Sequence, residues 1–306
     1  MTERIYDIIV IGGGPAGLTA ALYGRRAGKT VLIIEREVFG GQIAAAPNVE
    51  NFPGFLSVSG LEFSDKLLEQ VTALGADVEL DSVKSITDEK GIKRVETEYG
   101  KFAGKAIIIA TGLKHRRMAL ENEEKLIGRG ISFCAVCDGA FFKDKETAVY
   151  GGGNTALQDA LFLSDIASRV TLIHRRDTFR GDVSLVEQVK TKENIDLLLD
   201  NTVKTLIGDN SLGGIITANT KTGRETTLFV DGLFVAIGQI PQNDLFGGFI
   251  TLDEYGFIDA GEDCITNRPG IFVAGDCRAK EVRQLTTAAA DGAVAATTAC
   301  HYLDSI

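Results

Sequence analysis

The segment IGGGPAGLTAAL, residues 11–22, returns as YGGGNTALQDAL at residues 150–161. Gly12, Gly13 and Gly14 fall on Gly151, Gly152 and Gly153, an offset of 139 residues. At the same offset Gly17 falls on Ala156, Leu18 and Leu22 fall on Leu157 and Leu161, and VLIIE (31–35) falls on VTLIH (170–174). Each copy reads as a short apolar strand (YDIIVI, 6–11; ETAVY, 146–150), a glycine turn, a helix rich in Ala and Leu, and a second strand (30–34; 169–173). An apolar run that opens directly into glycines suits a strand buried on both faces. The helices start near Pro15 and Thr155. Pro15 fits a first helical turn, where its missing N–H leaves nothing unpaired.

The repeated unit is a βαβ element with the spacing G-x-G-x-x-G/A, the fingerprint of dinucleotide binding. The first glycine permits the tight turn, the second lets the backbone approach a pyrophosphate, and the third allows close helix–strand packing. One such motif is weak; two copies in matching contexts are strong. The copies differ at the end of the second strand. Glu35 stands in the first, where a carboxylate accepts hydrogen bonds from a free ribose, as in FAD or NAD. The second has His174, Arg175 and Arg176, with Arg180 four residues on. Guanidinium groups bind a 2′-phosphate that a carboxylate would repel, so this copy is expected to take NADPH.

A third segment supports a flavin. PGIFVAGDC (269–277) is an apolar strand ending at Gly275-Asp276, placed for an Asp to bond a ribityl hydroxyl, and RQLTTAAADG (283–292) begins a small-residue helix. The look-alike stretches KAIIIATG (105–112) and GLFVAIGQIP (232–241) bracket the second copy. The expected fold class is α/β, with two three-layer Rossmann-like domains, the second inserted into the first, and small antiparallel β-meanders. The expected boundaries are 1–112 and 239–306 for the FAD domain and 113–238 for the NADPH domain, with connectors near 112–115 and 238–242 acting as hinges. The stretch 77–103 reads as one of the meanders.

Between the two halves of the outer domain lies SFCAVCDGAFF (132–142), with Cys134 and Cys137 two residues apart and Asp138 behind them. A zinc site needs about four ligands. There is one CxxC, and the three histidines (115, 174, 301) are not at ligand spacing, so no metal is expected. A chain with two dinucleotide sites has a use for a redox dithiol: one thiolate attacks, its partner resolves, and Asp138 is placed to move protons. Five cysteines in 306 residues are not a disulfide framework. The formal net charge of −10 and the lack of a basic tract argue against nucleic acid. No long apolar run suggests a membrane span, and the N-terminus lacks a signal-peptide layout, so the cytoplasm is expected.

Taken together, GGGPAG, GGQ (40–42), ENFPG (50–54), ATG (110–112), CAVCDG, GGGNTA, HRRDTFR, AIG and AGD…RQ…TAA stand in the order of one family. The whole chain resembles the low-molecular-weight, bacterial-type thioredoxin reductases, which are FAD-containing pyridine nucleotide-disulfide oxidoreductases. The resemblance implies an FAD site touching Gly12, Gly14, Pro15, Ala16, Glu35, Gly41, Gln42, Asn51, Thr111, Gly112, Gly275, Asp276, Arg283 and Gln284. It implies an NADPH site touching Gly151, Gly153, Asn154, Thr155, His174, Arg175, Arg176, Arg180 and Ile237. It further implies that electrons pass from NADPH through FAD to the Cys134–Cys137 disulfide and on to thioredoxin or a thioredoxin-like protein. Cys137 would be the sulfur nearer the flavin, Cys134 the attacking one, Asp138 the general acid, and the protein a homodimer whose inserted domain rotates. Ferredoxin as donor, or a peroxiredoxin or glutaredoxin-like acceptor, is the alternative. The chain departs from the family pattern at Gln158-Asp159 and in GLKHRRMALENEE, which lacks the commoner Pro-Gly. Cys264, Cys277 and Cys300 are expected to be small buried hydrophobes. With no C-terminal redox pair, the large animal-type enzyme is not expected.

Overall fold

A computed structural model describes residues 4–46 and 49–306, with the backbone alone at Ala45. Strand β1 (Ile5–Ile11) runs into the first glycine turn, helix α1 (Pro15–Arg26) and strand β2 (Val31–Glu35). All five residues of β2 are buried. Along β1 the side chains alternate between two cores. Ile8 and Val10 pack with α1 residues on one face, and Ile9 and Ile11 with Ile107, Ile109 and Val273 on the other. Fully burying an Ile is worth about 1.5–3 kcal/mol, so the continuous apolar run fixes this strand in a sheet covered on both sides.

Helix α2 (Gly60–Ala73) starts at Ser59, whose hydroxyl accepts from the Glu62 N–H at 3.1 Å. It carries the chain to β3 (Asp77–Leu80), which pairs in parallel with β2. This corrects the expectation of a meander over 77–103. A helical crossover permits a parallel return, and Asp77–Leu80 is an edge strand whose mostly exposed residues alternate as a hairpin strand would. The meander is β4 (Val83–Glu89), β5 (Ile92–Thr97) and the start of β6 (Lys101–Ile109). The rest of β6 joins the parallel sheet beside β1.

After the short strand β7 (Leu113–His115) come helix α3 (Glu123–Leu126), β8 (Ile131–Ser132) and helix α4 (Ala135–Asp138). The second copy of the repeat is β9 (Glu146–Gly151), α5 (Asn154–Ser164) and β10 (Arg169–Ile173), and α6 (Val183–Thr191) leads to β11 (Ile195–Leu198). A second antiparallel meander is formed by β12 (Asn201–Ile207), β13 (Gly214–Asn219) and β14 (Glu225–Leu228). With β15 (Gly232–Ala236), the strands of this part lie in the order β11-β10-β9-β15-β8, all parallel.

The chain returns through β16 (Gln239–Pro241) to β17 (Ile271–Val273), which pairs in parallel with the second half of β6, and ends in helix α7 (Leu285–Asp304). Helices α7 and α1 cross closely because Gly292 has no side chain: a Cβ there would stand 2.2 Å from the Ala16 carbonyl oxygen. Two compact units result, Met1–Lys114 with Ile240–Ile306, and His115–Gln239.

Candidate functional site

The first glycine of each turn packs against a carbonyl oxygen of a neighbouring strand end. Gly12 has φ of 110°, and a Cβ on it would stand 2.3 Å from the Ala110 carbonyl oxygen. Gly151 meets the Ala236 carbonyl oxygen at the same 2.3 Å, and a Cβ on Gly17 would lie 1.9 Å from the Gly12 oxygen. These glycines are required by packing within the chain. Gly14 and Gly153 are different. A Cβ on either would meet nothing within 4 Å, and both backbones are extended, which any residue can adopt. Each is the residue before the first turn of a helix of 11 or 12 residues, where free N–H groups and the helix dipole favour an anion. The open side at Gly14 and Gly153 therefore has room for a pyrophosphate and no use to the fold.

The residues around the first turn form one connected edge. Glu35 Oε2 accepts the Gly13 N–H at 2.7 Å and Oε1 accepts the Glu37 N–H at 2.8 Å. Each oxygen keeps a lone pair for a ribose hydroxyl. A Cβ on Gly41 would lie 3.3 Å from the Gly14 Cα, and one on Gly275 would lie 2.7 Å from the Ala16 Cβ. Gln42 donates to the Leu113 carbonyl, and Thr111 donates to the Asn243 side chain at 3.0 Å, beside Gly112 with φ of 64°. Gln284 caps α7 and accepts from Asn51 at 3.2 Å, while Arg283 donates to the Asp276 carbonyl at 3.4 Å and stacks on Phe257. Asp276 carries the clearest sign of a missing partner. Its Oδ1 is buried and makes no hydrogen bond, and burial raises its pKa above the usual carboxylate value. A polyhydroxyl chain supplies the donor that this oxygen lacks, so these residues fit FAD.

Around the second turn, His174 is wedged rather than free. A Cβ on Gly152 would meet its ring at 2.1 Å, its Nε2–H donates to the Thr178 carbonyl at 3.1 Å, and Phe179 stacks on it. Burial, with Arg175 and Arg176 adding to it, lowers its pKa, which keeps the ring neutral. The Arg180 N–H donates to the Gly152 carbonyl at 2.8 Å, folding the basic loop back over the turn. Arg175, Arg176 and Arg180 are exposed, and among the described residues no carboxylate is paired with any of them. Asn154 is engaged with Asp182, donating to its carboxylate at 3.0 Å, while Thr155 is exposed and Ile237 is half-buried against the core. Three guanidinium groups beside an open glycine turn fit a phosphorylated dinucleotide.

Cys134 and Cys137 form a disulfide, with Cα atoms 5.3 Å apart. Cys134 is the residue before α4, and its sulfur accepts the Cys137 N–H at 3.2 Å. That bond favours a thiolate on Cys134 once the bridge opens. Asp138 is half-buried, burial raises its pKa, and Ser132 works against that by donating to its carboxylate at 2.6 Å. The same Ser132 hydroxyl accepts the Cys134 N–H at 3.0 Å, so it ties the acid to the dithiol. Sequence reasoning missed Ser132, because a serine before a cysteine carries no pattern of its own.

Cys264, Cys277 and Cys300 are buried free thiols, and burial pushes that of Cys264 up to about 12. Such thiols are poor nucleophiles. Among the described residues no group of three or more His, Cys, Asp or Glu is placed to hold a metal ion, and no helix is long and apolar enough to cross a membrane.

A model of the pyridine nucleotide-disulphide oxidoreductase family matches residues 6–292. A thioredoxin reductase of Listeria innocua is 43% identical over 305 residues, covering 99% of this chain and 96% of that protein. One from Bacillus subtilis is 41% identical over 305 residues, again 99% of this chain and 96% of that protein. Among solved structures, a thioredoxin reductase from Streptococcus pyogenes matches with a TM-score of 0.95 at 37% identity, covering 100% of both chains.

Proposed function

From the premise that the chain belongs to the pyridine nucleotide-disulphide oxidoreductases, we propose that it is an NADPH-dependent thioredoxin-disulfide reductase using FAD. The observation that carries this reading is the Cys134–Cys137 disulfide, tied through Ser132 to a half-buried acid, in a chain with two open glycine turns. Bound FAD supplies the two-electron exchange between a nicotinamide and a disulfide.

The chain's own residues do the rest. Gly14 leaves room for the FAD pyrophosphate, Glu35 holds its ribose, and Asp276 takes a ribityl hydroxyl. Gly153 leaves room for the NADPH pyrophosphate, and Arg175, Arg176 and Arg180 hold its 2′-phosphate. Opening the Cys134–Cys137 bond takes two electrons and leaves two sulfurs with a demand for protons, which Asp138 meets. The Cys134 thiolate then attacks one sulfur of the oxidised partner, forming a mixed disulfide and expelling the other sulfur as a thiolate. Cys137 attacks Cys134, restores the bridge and releases the reduced partner. The dithiol and the NADPH residues belong to one compact unit and must serve the same flavin, so we infer that they take turns by rotation at the connectors, with turnover limited by that motion.

The partner is thioredoxin or a thioredoxin-like protein. We infer a homodimer on the family resemblance, and a cytoplasmic site, since a chain that keeps three buried thiols free while holding one redox-active pair suits a reducing compartment. The test is NADPH oxidation by the FAD-loaded protein with oxidised thioredoxin. Native protein is expected to turn over, and Cys134→Ser to keep NADPH-dependent flavin bleaching while losing thioredoxin reduction. Continued thioredoxin turnover in that variant would overturn the role given to Cys134.

A further inference from the structure

The basic loop contains its own acid. Asp177 follows Arg176 directly, and a carboxylate there would draw off the guanidinium charge and repel a 2′-phosphate. The chain answers this from elsewhere. The β13–β14 hairpin brings Lys221 to the loop, with its Nζ 3.2 Å from Asp177 Oδ2 and 2.8 Å from Asp200 Oδ2. Those bonds lower the Asp177 pKa and raise that of Lys221, as expected of ion pairs.

The backbone of the loop is held by the same two segments. The Asp200 N–H donates to the Arg176 carbonyl at 3.1 Å, and the Thr220 hydroxyl reaches the Arg175 carbonyl at 3.4 Å. Asp200 itself sits at φ of 54°, in the turn between β11 and β12, and its carbonyl accepts the Thr220 N–H. Two segments distant in sequence therefore converge on Arg175 and Arg176. One lysine answers both nearby carboxylates, and among the described residues no carboxylate pairs with the arginines.

We propose that Lys221 is a positioning residue for cofactor choice: it neutralises Asp177 and Asp200 so that Arg175 and Arg176 remain free for the 2′-phosphate of NADPH. It acts through those groups and touches no cofactor. The inference rests on the reading of Arg175 and Arg176 as the phosphate clamp. The partners are exposed, so the effect is modest and sensitive to salt.

The test uses the FAD-loaded, full-length protein and measures KM for NADPH and for NADH by flavin reduction at low salt. Lys221→Met is expected to raise KM for NADPH about threefold to tenfold, with KM for NADH unchanged. Lys221→Arg is expected to retain the native ratio, and adding Asp177→Asn to Lys221→Met is expected to recover most of the loss. In high salt the difference should shrink. An unchanged NADPH-to-NADH ratio in Lys221→Met, an equal rise for both cofactors, or no recovery with Asp177→Asn would overturn the proposal. Arg175→Ala with Arg176→Ala separates the two failures. If that variant keeps its NADPH preference, the clamp reading itself is wrong; if it loses the preference while Lys221→Met does not, only the role of Lys221 falls.

Discussion

The Ser132 hydroxyl donates to the Asp138 carboxylate at 2.6 Å, across the turn that carries Cys134 and Cys137. Burial raises the pKa of Asp138, and this bond opposes the rise by favouring the charged form. The acid is thus kept able both to give and to take back a proton.

Removing the bond gives a signed prediction. In Ser132→Ala the Asp138 pKa rises further, because its charged form loses a donor. The basic limb of kcat/KM for thioredoxin should move to higher pH. In Asp138→Asn that limb should vanish and turnover should fall roughly a hundredfold or more. Because the folded value is raised, the stability Asp138 contributes is full below its ordinary value and is lost as pH rises through the folded one. A pH–rate profile that is unmoved in Ser132→Ala would separate Ser132 from the acid.

The paired glycine turns predict opposite behaviour for neighbouring substitutions. Gly153→Ala meets nothing in the chain and should leave the thermal midpoint unchanged, while KM rises about tenfold or more for NADPH and NADH alike, since both carry the pyrophosphate. Gly151→Ala drives a methyl to 2.3 Å from the Ala236 carbonyl oxygen and should destabilise the protein by about 1–3 kcal/mol. Equal loss of stability in both variants would mean that the open side of Gly153 serves the fold.

Asp7 offers a pH test of the sheet beneath the first turn. Burial alone would raise its pKa, but Lys105 at 2.8 Å and the Thr30 N–H and hydroxyl at 2.9 Å and 2.8 Å hold it down to about 2. A depressed carboxylate stabilises the fold above its unfolded value and loses that contribution as pH falls through about 2. Asp7→Asn should therefore cost about 1–2 kcal/mol at neutral pH, after allowance for the solvent around Lys105, and progressively less below pH 4. The check is the urea midpoint of both proteins across that range; a cost that stays constant with pH would rule out the ion pair as its source.

What the sequence made legible follows from how local each signal is. The repeat of Gly12–Gly14 at Gly151–Gly153, and the exchange of Glu35 for His174-Arg175-Arg176, are local patterns that record backbone and charge requirements directly. Ser132 and Lys221 were not legible. Each matters through a partner brought near by folding, Asp138 in one case and Asp177 in the other. Asp77–Leu80 misread as part of a meander because alternation at a sheet edge looks the same whether the neighbour runs parallel or antiparallel. Pairing direction was set by the crossover helix before it, Gly60–Ala73. The loop after Gly112 lacks Pro-Gly, and its substitute is local but matches no turn motif: the buried Glu123 carboxylate accepts the Met118 and Ala119 N–H groups at 3.0 Å and 2.8 Å and fixes the turn.

The central claim is that Cys134 and Cys137 form a second redox centre in electronic contact with the flavin. Counting electrons tests it most directly. The FAD-loaded protein is titrated anaerobically with dithionite while the flavin absorbance is followed. The native protein should take up four electrons per flavin, two for the cofactor and two for the bridge, and Cys134→Ser with Cys137→Ser should take up two. A native protein that bleaches fully after two electrons would contradict the account, because the bridge would then not share the flavin's electrons.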